Sequence, residues 1–83
     1  MWEEKDDFLY AELLFRDFAQ AFEFMTVVAE LAEAHNHHPN WSNVYNRVSI
    51  KLTTHDAGNK VTAKDRDLAR AIENHEDVRR LLG

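Results

Sequence analysis

Four of the chain's five histidines, His35, His37, His38 and His55, lie where helices or strands are expected to end rather than on apolar faces. Imidazole is the side chain whose proton moves near neutral pH, so such a group suits acid–base work. A polar loop that is simply rich in histidine has the same composition. Metal ligation is a second chemistry: His35-x-His37-His38 with His55 could supply three or four nitrogen ligands. Neighbours such as His37 and His38 tend to point in different directions, however, and no cysteine or close carboxylate motif completes a tetrahedral set, so no metal is expected. Nucleophilic catalysis has less behind it, because Ser42 and Ser49 lack a glycine-flanked elbow and no glycine-rich phosphate loop exists. The remaining option needs neither nucleophile nor metal. Histidines from a helix exit (His37, His38) and a strand end (His55) could meet across one pocket, one as acid and one as base, in an elimination or addition of water. Trp41 and Tyr45 offer aromatic surface for a flat heterocycle, and Glu33 could fix an imidazole tautomer or bind a ligand N–H. His75, inside the last expected helix, reads as ordinary surface.

Those positions depend on the elements around them. From Phe8 to Phe15 the residues alternate, with Leu9, Ala11, Leu13 and Phe15 forming one apolar face, which is a strand signal. Lys5-Asp6-Asp7 can turn a short hairpin back to Trp2-Glu3-Glu4. Asp17, with Gln20 three residues on, has the spacing of a capping box and opens a helix. Phe18, Phe22, Met25, Ala29 and Ala32 form one stripe along that helix, and Phe24, Val28 and Leu31 form a second beside it. So much apolar girdle exceeds what one sheet covers, and a partner subunit is the expected cover. Pro39 requires the helix to end before it. Ser42–Tyr45 and Val48–Thr54 read as two strands joined at Asn46-Arg47, followed by a loop from His55 to Val61. Thr62 and Asp65 form a second capping box, from which a last helix runs to about Leu81 with Leu68, Ile72 and Val78 or Leu82 on its buried side. The order is (β)β-α-β-β-α, and a four-stranded antiparallel sheet with helices on one face buries every apolar stripe.

Composition narrows the partners. Ten basic against fifteen acidic residues give a net charge of −5, which argues against a direct nucleic-acid partner. The absence of cysteine removes disulfides, thiolate metal sites and a cysteine nucleophile. No apolar run approaches the roughly 20 residues of a membrane span, and Met1-Trp2-Glu3-Glu4 is no signal peptide, so a soluble, cytoplasmic protein without membrane partners is expected. With 83 residues, 45% of them hydrophobic, the chain suffices for a single domain over 1–83, small enough for oligomerisation to supply part of its stability.

Three stretches carry a resemblance: Glu33-Ala34-His35-Asn36-His37-His38-Pro39, Asn43-Val44-Tyr45-Asn46-Arg47-Val48 and Leu52-Thr53-Thr54-His55-Asp56. The ordered set runs Glu33, three residues, His37-His38-Pro39, five residues, Tyr45, nine residues, His55, nine residues, Asp65. Together with Phe15-Arg16-Asp17-Phe18, Ala21-Phe22-Glu23-Phe24-Met25 and Asp65-Arg66-Asp67-Leu68-Ala69, it resembles the pterin-4a-carbinolamine dehydratases (4a-hydroxytetrahydrobiopterin dehydratases) over roughly residues 8 to 73. The resemblance implies an α+β fold with a four-stranded antiparallel sheet, helices on one side, and a homodimer or homotetramer. It implies dehydration of the 4a-hydroxytetrahydropterin left by aromatic amino-acid hydroxylases to the quinonoid dihydropterin, in tetrahydrobiopterin recycling, with the pterin as substrate and no cofactor. By position, His37, His38 and His55 are the expected catalytic residues, with His38 or His55 the acid at the hydroxyl. Glu33, Pro39, Trp41, Tyr45 and Asp56 are the expected substrate contacts, while Trp41 and Asp65 also fall at motif positions of structural character.

Two features depart from the family pattern. Members usually carry an additional N-terminal helix, whereas this chain starts at the first hairpin. The loop Ala57-Gly58-Asn59-Lys60-Val61-Thr62 is slightly longer than the common form, with Asn59-Lys60 where glycine-leucine is often seen. The same resemblance admits a non-enzymatic interaction protein on this scaffold, either a transcriptional dimerisation cofactor or a Rubisco assembly factor.

Overall fold

Alternation along the second strand decides which way the sheet faces. A computed structural model describes residues 1–83, with β1 (Glu3–Lys5), β2 (Phe8–Leu14), α1 (Phe18–His35), β3 (Asn40–Val44), β4 (Arg47–Leu52), α2 (Ala63–Asn74) and α3 (Glu76–Leu82). The strands form one antiparallel sheet in the order β1-β2-β4-β3. Leu9 pairs with Leu52, Ala11 with Ile50 and Leu13 with Val48, so one face of the two central strands is wholly apolar. Phe24 and Val28 of α1, Leu68 and Ile72 of α2, and Val78 and Leu81 of α3 pack onto that face in a single core. The expected α+β architecture, with helices on one side of a four-stranded antiparallel sheet, is the observed one. The other face stays open, and there Lys51 places its ammonium 5.2 Å from the Phe8 ring centre and 5.9 Å from that of Tyr10.

Turn chemistry moves several boundaries from where periodicity put them. Asp6 and Asp7 both take positive φ, 51° and 70°, as a two-residue hairpin turn of the favoured hand requires, so Lys5 joins β1 instead of the turn. The second hairpin turns at Tyr45-Asn46, not Asn46-Arg47, with Tyr45 at φ 51°. Asn43 donates to the carbonyls of Tyr45 and Arg47, and Asn46 donates to the carbonyl of Phe15 at 2.9 Å, so the turn is held from both sides. β3 accordingly starts earlier than expected, at Asn40.

Asp17 caps α1 as its spacing predicts, accepting from the Gln20 N–H at 2.9 Å, while Gln20 accepts from the Arg16 N–H. The Gln20 bond is the main cause that holds the Asp17 carboxyl below its usual range; burial opposes it, and Arg16 adds to the lowering. Ala21, Phe24, Val28 and Ala32 are buried, so the second apolar stripe faces the core, while the first divides: Ala32 is buried and Met25 packs against the core, and Phe18, Phe22 and Ala29 are left outward. Phe18 and Phe22 are 48% and 55% exposed, with their rings 5.8 Å apart.

The last helix is broken. His75 is extended (φ −68°, ψ 132°), ends α2 and caps α3, its Nδ1 accepting from the Asp77 N–H at 3.1 Å. It is therefore half-buried at a junction, not surface within a continuous helix. The break redirects the chain so that Val78 and Leu81 both reach the core, leaving Leu82 exposed. No helix is long and apolar enough to cross a membrane.

Candidate active site

The histidines are positioned by the C-terminal ends of α1 and β4, which meet at one end of the sheet. α1 stops because Asn36 adopts the left-handed conformation (φ 49°), with the N–H of His37 returning to the Ala32 carbonyl at 3.0 Å. That reversal sends His37 inward, where its side chain is 11% exposed, and leaves His38 on the rim. Across from them β4 runs into Thr53 and Thr54 and then a single 3₁₀ turn, His55–Ala57, closed by Gly58 at φ 79°. Thr54 pairs with Lys60 through its backbone, which folds the longer loop back on itself. Asn59, left-handed at φ 61°, comes back to place Oδ1 3.0 Å from His55 Nδ1.

Between these two ends lies a cleft of about 300 Å³. Asn36, His37 and His38 form one wall, Thr53 to Asp56 the other, and Lys64 of α2 stands at its edge. Every side chain lining it is polar. A larger hollow of about 450 Å³ lies beside Trp2 and α2, but it holds no histidine, and its charged groups are paired as Glu4–Arg66, Met1–Glu73 and Arg70–Asp67.

Asp65 anchors the cleft from beneath. Its carboxylate is fully buried in the first turn of α2 and accepts from Thr54 Oγ at 2.6 Å, from the Thr62 N–H at 2.8 Å and, on its other oxygen, lies 2.5 Å from His37 Nε2. Burial alone would raise its pKa, but the bonds from Thr54, His37 and Thr62, with the attraction of His37, outweigh it and hold the carboxyl below its usual range. His38 has an acidic partner as well: its Nε2 lies 2.5 Å from Glu33 Oε2, with both side chains largely exposed.

His37, His38, His55 and Asp56 thus share one cleft. Glu33 touches it only through His38, and neither Glu33 nor Pro39 is among the residues that line it. Trp41 does not line it; paired with Ile50, it lies half-buried against the core. Tyr45 sits at the tip of the β3–β4 hairpin, 63% exposed, whereas the cleft adjoins the opposite end beyond the Asn40–Lys51 pair. Four residues of strand separate those ends, roughly 13 Å at about 3.4 Å per residue, so Tyr45 does not line this cleft. No group of three His, Cys, Asp or Glu side chains is arranged to hold a metal ion.

Sequence reasoning missed two contributors. Asp65 reads as a capping residue because Thr62-x-x-Asp65 fully explains it, and the box does form. Two signals of a further role were present: its place closing the ordered set after His55, and the second oxygen left spare after capping. Thr54 reads as the tail of β4, and nothing in the pattern says that its hydroxyl turns inward.

An α+β domain with convergent histidines at the sheet's end defines a class, and comparison with known proteins places it within that class. The family model described as pterin 4 alpha carbinolamine dehydratase matches residues 1–75. A protein of Synechococcus sp. (strain WH7803), provisionally named as a pterin-4-alpha-carbinolamine dehydratase, is 57% identical over 72 residues, covering 87% of this chain and 76% of its own. One from Opitutus terrae with the same provisional name is 53% identical, covering 87% and 74%. The crystal structure of a transcriptional coactivator/pterin dehydratase from Brucella melitensis superposes with a TM-score of 0.81 at 37% identity, over 99% of this chain and 82% of that one. A pterin dehydratase-like protein described as a RuBisCO assembly factor in the alpha-carboxysome shares the fold, with a TM-score of 0.69 at 23% identity over 88% and 83%. The chain belongs to the pterin 4 alpha carbinolamine dehydratase family.

Proposed function

We propose that this chain, acting as one pterin-dehydratase domain over residues 1–83, removes water from a 4a-hydroxytetrahydropterin by acid–base catalysis from His37, His38 and His55. The observation that carries this reading is the convergence of the three imidazoles on one polar cleft. Breaking the C4a–O bond requires a proton on the departing hydroxyl, and forming the C4a=N5 bond releases the proton of N5. One imidazole gives, another takes, and the products are water and the quinonoid dihydropterin. Positioned proton transfer of this kind contributes about 10²–10⁴-fold. His38 or His55, both on the exposed side of the cleft, serves as acid at the hydroxyl, and His37 is the other participant. Asp56 is the cleft carboxylate available to accept from the amino or N–H edge of the ring. No cofactor is required, since the pterin is itself the substrate. Tetrahydrobiopterin recycling behind an aromatic amino-acid hydroxylase, in the cytoplasm, is the setting that this chemistry serves. A second copy of the chain covers the Phe18–Phe22 stripe, as a homodimer or within a homotetramer. Stopped-flow decay of a freshly formed 4a-carbinolamine tests the reading: the protein is expected to accelerate it, and no acceleration would refute it.

The exposed Phe18 and Phe22 also favour a second reading, a non-enzymatic interaction protein whose partner takes that stripe in place of another copy. The names of the two structural neighbours, a coactivator and a RuBisCO assembly factor, belong to those proteins and suggest the kinds of partner. Binding through the stripe with carbinolamine decay unchanged would favour this reading over catalysis.

A further inference from the structure

We infer that Asp65 is a positioning residue that fixes His37 as the Nε2–H tautomer, so that every proton His37 exchanges with a ligand passes through Nδ1. The hydrogens around Asp65 can be assigned one by one. The Thr62 N–H donates to Oδ2 at 2.8 Å, and Thr54 Oγ donates to the same oxygen at 2.6 Å. Having given its one hydrogen to Asp65, Thr54 is the acceptor in its 2.6 Å contact with Thr62 Oγ, so the Thr62 hydroxyl donates there. Thr62 Oγ in turn accepts from the Lys64 N–H at 3.3 Å. Both threonine hydroxyls are committed, and Oδ2 is held as an acceptor by two donors. Oδ1 of the ionised carboxylate has no hydrogen to give, so its 2.5 Å contact with His37 Nε2 requires the hydrogen on nitrogen. His37 Nδ1 has no partner within the chain, and no buried side-chain nitrogen or oxygen lacks one, so Nδ1 is open to the cleft that His37 lines.

Replacing one atom would reverse this. In Asp65→Asn the two donors from Thr54 and Thr62 still demand an oxygen at the Oδ2 position. The amide nitrogen then falls beside His37 and presents N–H to Nε2, which must be bare, and the ring hydrogen moves to Nδ1. Acting as a base, Nδ1 would already be protonated. Acting as an acid, a neutral ring would have to become an imidazolate. Either role fails, with no change in side-chain volume.

The tautomer assignment stands apart from the dehydratase reading; its consequence for turnover rests on that reading. Long-range ¹H–¹⁵N spectra of uniformly ¹⁵N-labelled protein, with His37 assigned by its loss in His37→Gln, read the tautomer directly. The wild type is expected to show a pyrrole-type nitrogen at Nε2 and a pyridine-type nitrogen at Nδ1, and Asp65→Asn the exchanged pair. A wild-type His37 bearing its hydrogen on Nδ1 would overturn the inference without need of any variant. In turnover, Asp65→Asn is expected to lower kcat by about 10²–10⁴-fold with KM changed far less, and to remove the limb that His37 contributes to the pH profile. Exchanged nitrogens with an unaltered kcat would overturn the catalytic consequence. Correct nitrogens in a wild-type protein that dehydrates nothing would leave Asp65 as assigned and refute the proposed function.

Discussion

Thr54 and Asp65, eleven residues apart and both buried, are joined by a 2.6 Å hydrogen bond from hydroxyl to carboxylate. It fastens the end of β4 to the first turn of α2 and so sets one wall of the cleft relative to its floor. Thr54→Val keeps the volume but takes one donor from Asp65 Oδ2 and leaves the Thr62 hydroxyl only its longer 3.5 Å contact to that oxygen. A loss of about 1–3 kcal/mol is expected in urea denaturation, largely restored in Thr54→Ser.

The low pKa of Asp65 makes stability depend on pH. Unfolded, the carboxyl titrates near the ordinary aspartate value of 3.8; folded, it titrates lower. A depressed folded pKa contributes stability that is complete above the unfolded value and is lost as pH falls through the folded one. The stability that Asp65 contributes to wild type over Asp65→Asn is therefore expected to shrink steadily as pH falls below about 4, read as a narrowing difference in Tm. A difference that widened with acid would contradict the hydrogen bonding to the ionised carboxylate drawn here.

Glu33 and His38 make an equally short contact in a different setting. Their side chains are 78% and 59% exposed, and pairs in that environment contribute about 0–1 kcal/mol. Glu33→Gln is expected to leave urea stability almost unchanged and to lower kcat less than His38→Ala does. A Glu33→Gln variant as inactive as His38→Ala would give Glu33 a direct part in the chemistry.

The two faces of α1 separate in the same way. Phe24 is fully buried and packs 5.0 Å from the Phe15 ring, so Phe24→Ala is expected to cost about 3–5 kcal/mol. Phe22 is 55% exposed, and Phe22→Ser is expected to change the stability of dilute protein by no more than about 0.5 kcal/mol. Sedimentation should show the Phe22 variant as a smaller species if a second copy covers that stripe, and an unchanged mass would remove this surface from the assembly.

The sheet was legible because β2 and β4 alternate without interruption and their apolar sets pair in register. Turns were less so: positive φ at Tyr45 is imposed by the cross-links of Asn43 and Asn46, and a tyrosine gives no local sign of it. The break at His75 escaped notice because Leu68, Ile72 and Val78 are compatible with one continuous helix, and only the imidazole cap on Asp77 divides it. Among the site residues, the histidines announced themselves by type. Which side chain stands behind each one depends on contacts across 28 residues for Asp65 and five for Glu33, and spacing carries only the second.

The central claim is that the cleft's histidines move the protons of dehydration. Stopped-flow decay of a 4a-carbinolamine, followed with wild type and with His37→Ala, His38→Ala and His55→Ala, tests it most directly. Wild type is expected to accelerate the decay, and at least two of the three variants to lose about 10²–10⁴-fold in kcat while remaining folded. Acceleration that survives intact in all three would contradict the account.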